Sequence, residues 1–166
     1  MMLTPRAEAP RMPRGYGVPT DGSGGDALPW SWAEQQLTQA RNYWICTTHA
    51  GGRPHAIPVW GVWLDGAVWF GTNPASAKGR NLKRDPRVVV HLESGDDVVI
   101  LEGEIELPSD RDALERFVEV YEQKYGQRIN VPERNEGIFA LRPRIAQTWT
   151  EQGFVRNATR WVFDQA

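Results

Sequence analysis

A polar turn near the middle of the chain carries side chains suited to binding an anion. The segment 73–81 (NPASAKGRN) supplies a hydroxyl, an ammonium, a guanidinium and an amide within six residues, at Ser76, Lys78, Arg80 and Asn81. The first amide groups of a helix lack intrahelical partners and carry a partial positive charge. A phosphate group binds readily where such a turn opens a helix. The sequence therefore predicts the phosphate end of a cofactor site here.

Two strand-like segments lead into this turn. The first, about 55–64, is apolar on both faces, and Asp65-Gly66 is a strong hairpin signal that begins the second, 67–72. A strand with one solvated face alternates with polar residues. One face of 55–64 should therefore line a barrel interior, while the other needs a second cover, which we expect a partner subunit and a flat ligand to share.

Two residues refine this interpretation of segment 55–64. Pro58 cannot donate a hydrogen bond to a sheet ladder, so it predicts an edge strand or a bulge. Gly61 leaves space for the close approach of another backbone. Both features are typical of a strand that borders a ligand.

The remaining pattern is mainly β with a few helices. Ser31 and Glu34 form a capping box that predicts a helix over about 31–41. Ser109 is expected to cap the longest helix, which Gly126 ends. Further strands are predicted at 43–48, 87–93, 97–107, 138–141, 145–150 and 159–163. Six or more antiparallel strands in meander order favour a closed or nearly closed barrel.

Composition limits the classes of protein to consider. The chain of 166 residues suits one domain, expected over 30–166. Residues 1–29 are rich in proline and glycine and show almost no apolar periodicity, which predicts a disordered tail or an arm that wraps a partner subunit.

The charge and apolar content argue against several partners. The net charge of −2, from 19 basic and 21 acidic residues, argues against a nucleic-acid partner. No segment approaches the ~20 apolar residues of a membrane span, and no signal-type stretch is visible. Cys46 is the single cysteine, so no internal disulfide forms. We expect a cytoplasmic protein without a membrane partner.

Motifs along this region resemble a known family. The order G-R-P-H-x-x-P-V-W, a hairpin, F-x-T-N, S-x-K-x-R-N-L and D-P-R-V is similar to the pyridoxamine 5′-phosphate oxidase-like flavin-binding split barrels. It most resembles their branch of flavin- and deazaflavin (F420)-dependent oxidoreductases. The resemblance covers about 40–150, and 159–161 is similar to that branch's closing strand. It implies a six-stranded antiparallel split β-barrel, homodimeric, with a cofactor in each of two interface grooves.

The resemblance also implies roles for individual residues. Gly71 and Thr72 would lie near the ribityl chain, and Lys78 with its neighbours Ser76, Arg80 and Asn81 would hold the phosphate. The residues running along the isoalloxazine or deazaflavin ring would be Ile57, Pro58, Val59, Trp60, Gly61 and Val62. Ala77 and Ile57 replace basic residues of the oxidase members, which puts pyridoxamine phosphate oxidation itself in doubt.

The function implied is that of an F420- or FMN-dependent oxidoreductase, which transfers a hydride between the cofactor and a flat small-molecule substrate. The cofactor carries this chemistry, so we name no catalytic acid, base or nucleophile. F420 has an acidic tail beyond its phosphate, for which Lys83, Arg84 and Arg87 are candidate ligands. Two features favour F420 slightly over FMN. Ala77 replaces the basic residue of the oxidase members, and the motif that follows has the sequence K-x-R-N-L.

Two other classes stay open at this stage. One is a non-catalytic flavin- or haem-binding dimer for storage or sensing. The other is a structural barrel, in which Lys78 and Arg80 are solvated or pair with carboxylates of a partner subunit. Trp60 and Trp63 would then serve only packing. The three histidines show no metal-ligand spacing, so no metal site is predicted and structural roles are expected for them.

Overall fold

The computed structural model describes residues 4–19, 25–131 and 133–164, which contain nine strands and four helices. No helix in these ranges is long and apolar enough to cross a membrane. In chain order the elements are β1 (Arg6–Glu8), α1 (Trp30–Gln39), β2 (Tyr43–Thr48), β3 (Pro54–Val59), β4 (Gly61–Leu64), β5 (Ala67–Gly71), α2 (Ala77–Arg84), β6 (Arg87–His91), β7 (Asp97–Glu106), α3 (Arg111–Tyr125), β8 (Ile138–Thr150), α4 (Phe154–Asn157) and β9 (Thr159–Val162).

The central strands form the antiparallel split barrel that the sequence predicted. The order along the sheet is β1-β9-β8-β7-β6-β2-β3, while β5 pairs with both β4 and β8. Because β3 runs directly into β4, the ring of β2, β3/β4, β5, β8, β7 and β6 closes through the chain itself. The fold class is confirmed, and the ring has six members when β3 and β4 count as one.

The predicted strand over 55–64 is divided at Trp60, which corrects the sequence interpretation. β3 pairs with β2, whereas β4 pairs with β5 after the Asp65-Gly66 turn. Both turn residues have positive φ, of 51° and 73°, as a two-residue hairpin of this kind requires. β3 lies at the end of the sheet order, so Pro58 is on an edge strand, as predicted.

The two halves of this divided strand have different covers. Val62 of β4 is buried in a cluster with Leu114 and Phe117 of α3, so a helix of the same chain covers that half. On β3, Ala56 and Pro58 are exposed. The second cover expected for the whole segment is therefore internal for β4, and only β3 is uncovered in the described chain.

Helix starts differ from the sequence prediction by one residue. α1 begins at Trp30 after Pro29 and has no side-chain cap, so the predicted capping box of Ser31 and Glu34 is not formed. α3 is capped by Asp110 in place of Ser109, because its carboxylate accepts a hydrogen bond from the Ala113 amide at 2.7 Å. Gly126 ends α3, as predicted.

The last strands also differ, because β8 is one strand of 13 residues where two were predicted. Pro143 lies in its interior at a register shift, opposite the Glu102/Gly103 step of β7. Such an irregularity tolerates a residue that lacks an amide hydrogen. At the other edge, β1 pairs antiparallel with β9, so the described part of 1–29 contributes a strand to its own chain.

The barrel interior is filled by large apolar side chains. The fully buried ones include Tyr43, Ile45, Phe70, Leu101 and Phe139. Trp30 of α1 packs edge-on against Trp63, Trp161 and Phe163, with ring centroids 6.3, 5.5 and 5.1 Å away. Several of the eight tryptophans therefore serve the core.

Side chains of α3 hold the corner between β3 and β4. The Tyr125 hydroxyl accepts from the Gly61 amide at 3.0 Å and lies 2.7 Å from the Gly61 carbonyl oxygen. The Lys124 ammonium donates to that carbonyl at 3.0 Å and to the Tyr43 hydroxyl at 3.1 Å. A Cβ on Gly61 would lie 2.7 Å from the Trp69 carbonyl oxygen, so this position requires glycine. The predicted close backbone approach is confirmed.

Replacing Lys124 with methionine should change how stability depends on pH. Burial lowers the pKa of Lys124 to about 8, below the value of a lysine in an unfolded chain. Between about pH 8 and pH 10 the unfolded protein then binds more protons than the folded one, so stability rises with pH. The slope should stay below the ~1.4 kcal/mol per unit of a fully shifted group, because Lys124 is only half-buried and solvent screens its charge. Above that window the opposing effect of Tyr43 begins, because burial raises its pKa.

The test compares urea unfolding of wild type and Lys124→Met across this window. The slope should be smaller in the variant, which keeps only the contribution of Lys78, whose pKa burial also lowers. Parallel pH dependences for the two proteins would contradict the role assigned to the buried ammonium.

Candidate functional site

The predicted phosphate turn leads into α2 and is tied to the end of β5. The Ser76 hydroxyl caps α2 by accepting from the Gly79 amide at 3.0 Å. The Thr72 hydroxyl lies 3.2 Å from that of Ser76. A Cβ on Gly79 would lie 2.5 Å from the Asn73 carbonyl oxygen, so the helix rests directly on the turn. Thr72 and Ser76, two of the residues predicted to bind the cofactor, therefore contact each other.

Lys78 is buried without a counter-ion. The residue is only 8% exposed, and within the described residues its ammonium, which keeps some accessible surface, makes no hydrogen bond or ion pair. Burial lowers the pKa of its ammonium. Among the described residues, the backbone amides of Ala77 and Lys78 also have no hydrogen-bond acceptor. These three donors at the start of one helix suit an anion.

The other three predicted phosphate residues already have partners. Ser76 is occupied as the helix cap, and the Arg80 guanidinium donates to the Ala75 carbonyl. Asn81 is buried, and its amide donates to the Thr47 hydroxyl of β2 at 3.0 Å. These side chains shape the turn and fix α2 to the sheet, which leaves Lys78 as the side chain best placed to meet a phosphate.

The residues predicted to run along the cofactor ring, Ile57 to Val62, are called the ring wall below. The accessible part of this wall lies close to the turn. Thr47 pairs with His55 of β3, and Ile57 follows two residues along the same strand, roughly 7 Å away. Ile57 is 40% exposed. Pro58 is also exposed and Val59 is half-buried. The contact between Asn81 and Thr47 therefore joins α2 to β2, the strand that pairs with β3 and its apolar edge.

The second half of the predicted ring wall is turned away from this edge. Trp60 stacks on Tyr125 with centroids 4.7 Å apart and planes 3° from parallel. Gly61 is buried beneath the α3 side chains described above, and Val62 is 1% exposed under the same helix. Gly71 is exposed at the end of β5. The structure thus leaves Ile57, Pro58 and Val59 of β3 accessible and places Thr72 and Lys78 at the turn that opens α2, while Trp60 and Val62 pack internally.

Sequence reasoning did not assign a basic cluster beside this turn, made of His49, Arg53, His55, Arg80 and Arg84. The β2–β3 turn brings its first three members together, and the His49 and His55 rings lie 5.1 Å apart. Arg84 of α2 reaches the same turn, where its guanidinium donates to the Thr48 carbonyl. The spacing H-x-x-x-R-x-H around Gly51-Gly52 was the available signal, since a hairpin brings flanking residues together.

Arg87, a predicted ligand for an acidic tail, is engaged elsewhere. Its guanidinium binds both carboxylate oxygens of Asp85, at 2.9 and 2.7 Å. These hydrogen bonds lower the pKa of Asp85 to about 2. Arg87 also lines a concavity of about 540 Å³ on the outer barrel face, together with Cys46, Glu102 and Arg144. None of the residues predicted for the cofactor's ring, ribityl chain or phosphate lines that concavity.

Comparisons with known proteins agree with the fold. The protein resembles a conserved hypothetical protein, Rv2991, from Mycobacterium tuberculosis, with 24% identity over 77% of this chain and 88% of that one and a TM-score of 0.66. It also resembles an F420 reductase, with 20% identity over 68% and 94% of the two chains and a TM-score of 0.53. A third similar structure is a heme binding protein from Mycobacterium smegmatis, with 19% identity over 78% of this chain and 62% of that one and a TM-score of 0.56.

At these identities the structural likenesses establish the fold alone. No curated protein matches the chain. The sequence model described as pyridoxamine 5′-phosphate oxidase, however, matches residues 32–151, which include the whole six-membered barrel. The chain therefore belongs to the pyridoxamine 5′-phosphate oxidase family.

Proposed function

We propose that the protein is an oxidoreductase that uses F420 or FMN to transfer a hydride to or from a flat small-molecule substrate. The observation that carries the proposal is Lys78, a largely buried lysine at the start of α2 whose ammonium has no protein counter-ion. It lies in a family and fold shared with flavin-binding proteins, and an F420 reductase is among the similar structures.

The phosphate group of such a cofactor fits the unpartnered donors. Burying a charge without a partner is unfavourable, and the lowered pKa of Lys78 reflects that cost. A phosphate oxygen beside the ammonium would provide the missing counter-charge, and the amides of Ala77 and Lys78 would donate to neighbouring oxygens. We assign the phosphate to Lys78 and these amides, and a supporting role to Ser76, Arg80 and Asn81.

The exposed edge of β3 fits the ring. Ile57 offers apolar contact, and an edge strand has unpaired backbone groups that can bind the polar rim of a flat heterocycle. The bound ring supplies the hydride chemistry. The protein's part is to hold the ring on β3 by its phosphate end and to keep water from its face.

A second copy of the chain would complete the site. Ala56 and Pro58 on the outer side of β3 are exposed, and Trp44 beside them on β2 is half-buried. A partner subunit packed on this surface would cover it and enclose the ring. We therefore propose a homodimer with one cofactor in each interface groove.

Lys78→Met should separate a cofactor ligand from a merely structural lysine. The substitution keeps the length of the side chain and removes the buried charge, so folding stability should be unchanged or higher. Affinity for F420 or FMN should fall at least tenfold, about 1.4 kcal/mol, because the phosphate loses its counter-charge. Quenching of cofactor fluorescence measures the affinity.

Arg128→Met is the matched control, because Arg128 is exposed and paired with Glu122 outside the site. It should leave the affinity unchanged. Equal affinities for wild type and Lys78→Met would refute the phosphate assignment.

Turnover separates the enzyme from a non-catalytic flavin- or haem-binding dimer. Protein loaded with reduced F420 or FMN is offered a quinone or a nitro compound, and reoxidation of the cofactor is followed by absorbance. We expect reoxidation faster than that of free cofactor. Tight binding with no acceleration for any acceptor would favour storage or sensing.

A further inference from the structure

The three arginines of the basic cluster have no acidic partners. Within the described residues, ten other arginines each pair with a carboxylate. Arg53, Arg80 and Arg84 pair with none, although all three are exposed. In the same ranges Arg11 and Arg41 also lack a carboxylate, and Arg41 lies over the Trp60 ring. What sets the cluster apart is that three unpaired arginines and two histidines meet on one surface, formed by the β2–β3 turn and the exposed side of α2. Charge segregated in this way attracts anions.

The cluster is held in place by its own hydrogen bonds. The His49 amide donates to the Arg53 carbonyl at 2.9 Å, which closes the turn. Arg84 donates to the Thr48 carbonyl and Arg80 to the Ala75 carbonyl, so part of each guanidinium is anchored and the rest is free to bind. The groups are therefore positioned before any ligand arrives.

The histidines at the centre can both donate to an anion. Asn81 donates to the Thr47 hydroxyl, so the hydroxyl proton is free to be donated to Nδ1 of His55, 3.4 Å away. This arrangement leaves the proton of the neutral His55 ring on Nε2. His49 packs edge-on against the same ring.

The charges around His49 determine its protonation. Its pKa is held below its ordinary value, first by partial desolvation and then by the positive charges of Arg53, His55, Arg84 and Arg80. No carboxylate contributes to this shift. An anion bound among these groups would offset their repulsion, and His49 would then gain a proton.

We propose that the basic cluster is a second anion subsite, which receives a carboxylate-bearing tail beyond the cofactor phosphate and takes up a proton on His49 when the tail binds. This inference rests on the proposed function, because the cluster shares α2 and the Thr47–Asn81 contact with the Lys78 site. It relocates the predicted tail ligands: Arg84 is retained, Arg87 is bound to Asp85, and His49, Arg53 and His55 are added.

Isothermal titration calorimetry with the full protein tests the proposal. F420 with its glutamate tail and F420 lacking glutamates are each titrated at about pH 7, in two buffers of different ionisation enthalpy. Both ligands carry the same phosphodiester, which does not titrate in this range. The tailed form should bind about tenfold more tightly and take up a larger fraction of a proton. The difference in affinity between the tailed and the tail-free form should decrease from about pH 6 to about pH 8, because His49 loses its proton. It should also decrease at high salt.

Two variants assign the effect to residues. His49→Gln should abolish the additional proton uptake, and Arg53→Gln should weaken the tailed form by about threefold to fivefold while sparing the tail-free form. Arg128→Gln, the same charge change at a distant paired arginine, should alter neither ligand. Equal affinity and proton uptake for both ligands, or uptake that persists in His49→Gln, would overturn the subsite. Failure of both ligands to bind would refute the proposed function with it.

Discussion

The attachment of helix α2 to the barrel is the constraint on which the candidate site depends. Asn81 is buried against Thr47, Ser76 joins the helix start to Thr72, and Gly79 allows the helix to rest on its own leading turn. These contacts leave little freedom for Lys78, a largely buried residue whose ammonium has no acidic partner. In the proposed site this ammonium would be a preorganised anion ligand, because part of its desolvation has already occurred during folding.

The same contacts relate the phosphate end to the ring wall. Through Thr47 the helix touches β2, and through the β2–β3 ladder it is set at a fixed distance from Ile57. At the far end of β3, α3 holds the Gly61 corner with Tyr125 and Lys124. The edge strand is therefore fixed at both ends, and its exposed residues form the surface that we propose for a flat ligand and a second subunit.

Local signals in the sequence were sufficient for much of this fold. Strand alternation, the Asp65-Gly66 turn and the stop at Gly126 each act within a few residues, and each was predicted. The division at Trp60 was not, because it depends on stacking against Tyr125, which is 65 positions later in the sequence. β8 runs through Pro143 because the β7 register shifts opposite it, and such a shift leaves no local signal.

The candidate site could likewise be predicted only in part from the sequence. Residue types in 73–81 indicated an anion turn, and Lys78 has the burial expected of its ligand. Residue types alone could not show which of these residues support the structure. In the fold, Ser76 and Asn81 support the turn, and Trp60 packs on α3. The basic cluster also depends on tertiary structure, since Arg80 and Arg84 meet the β2–β3 turn only once α2 has packed.

Native mass spectrometry of the protein offered both F420 and FMN tests the central claim most directly, because it reports assembly and cofactor together. The proposed site predicts a dimer that carries two copies of one of these cofactors. A species that takes up neither cofactor at micromolar concentration, whether monomer or dimer, would contradict it.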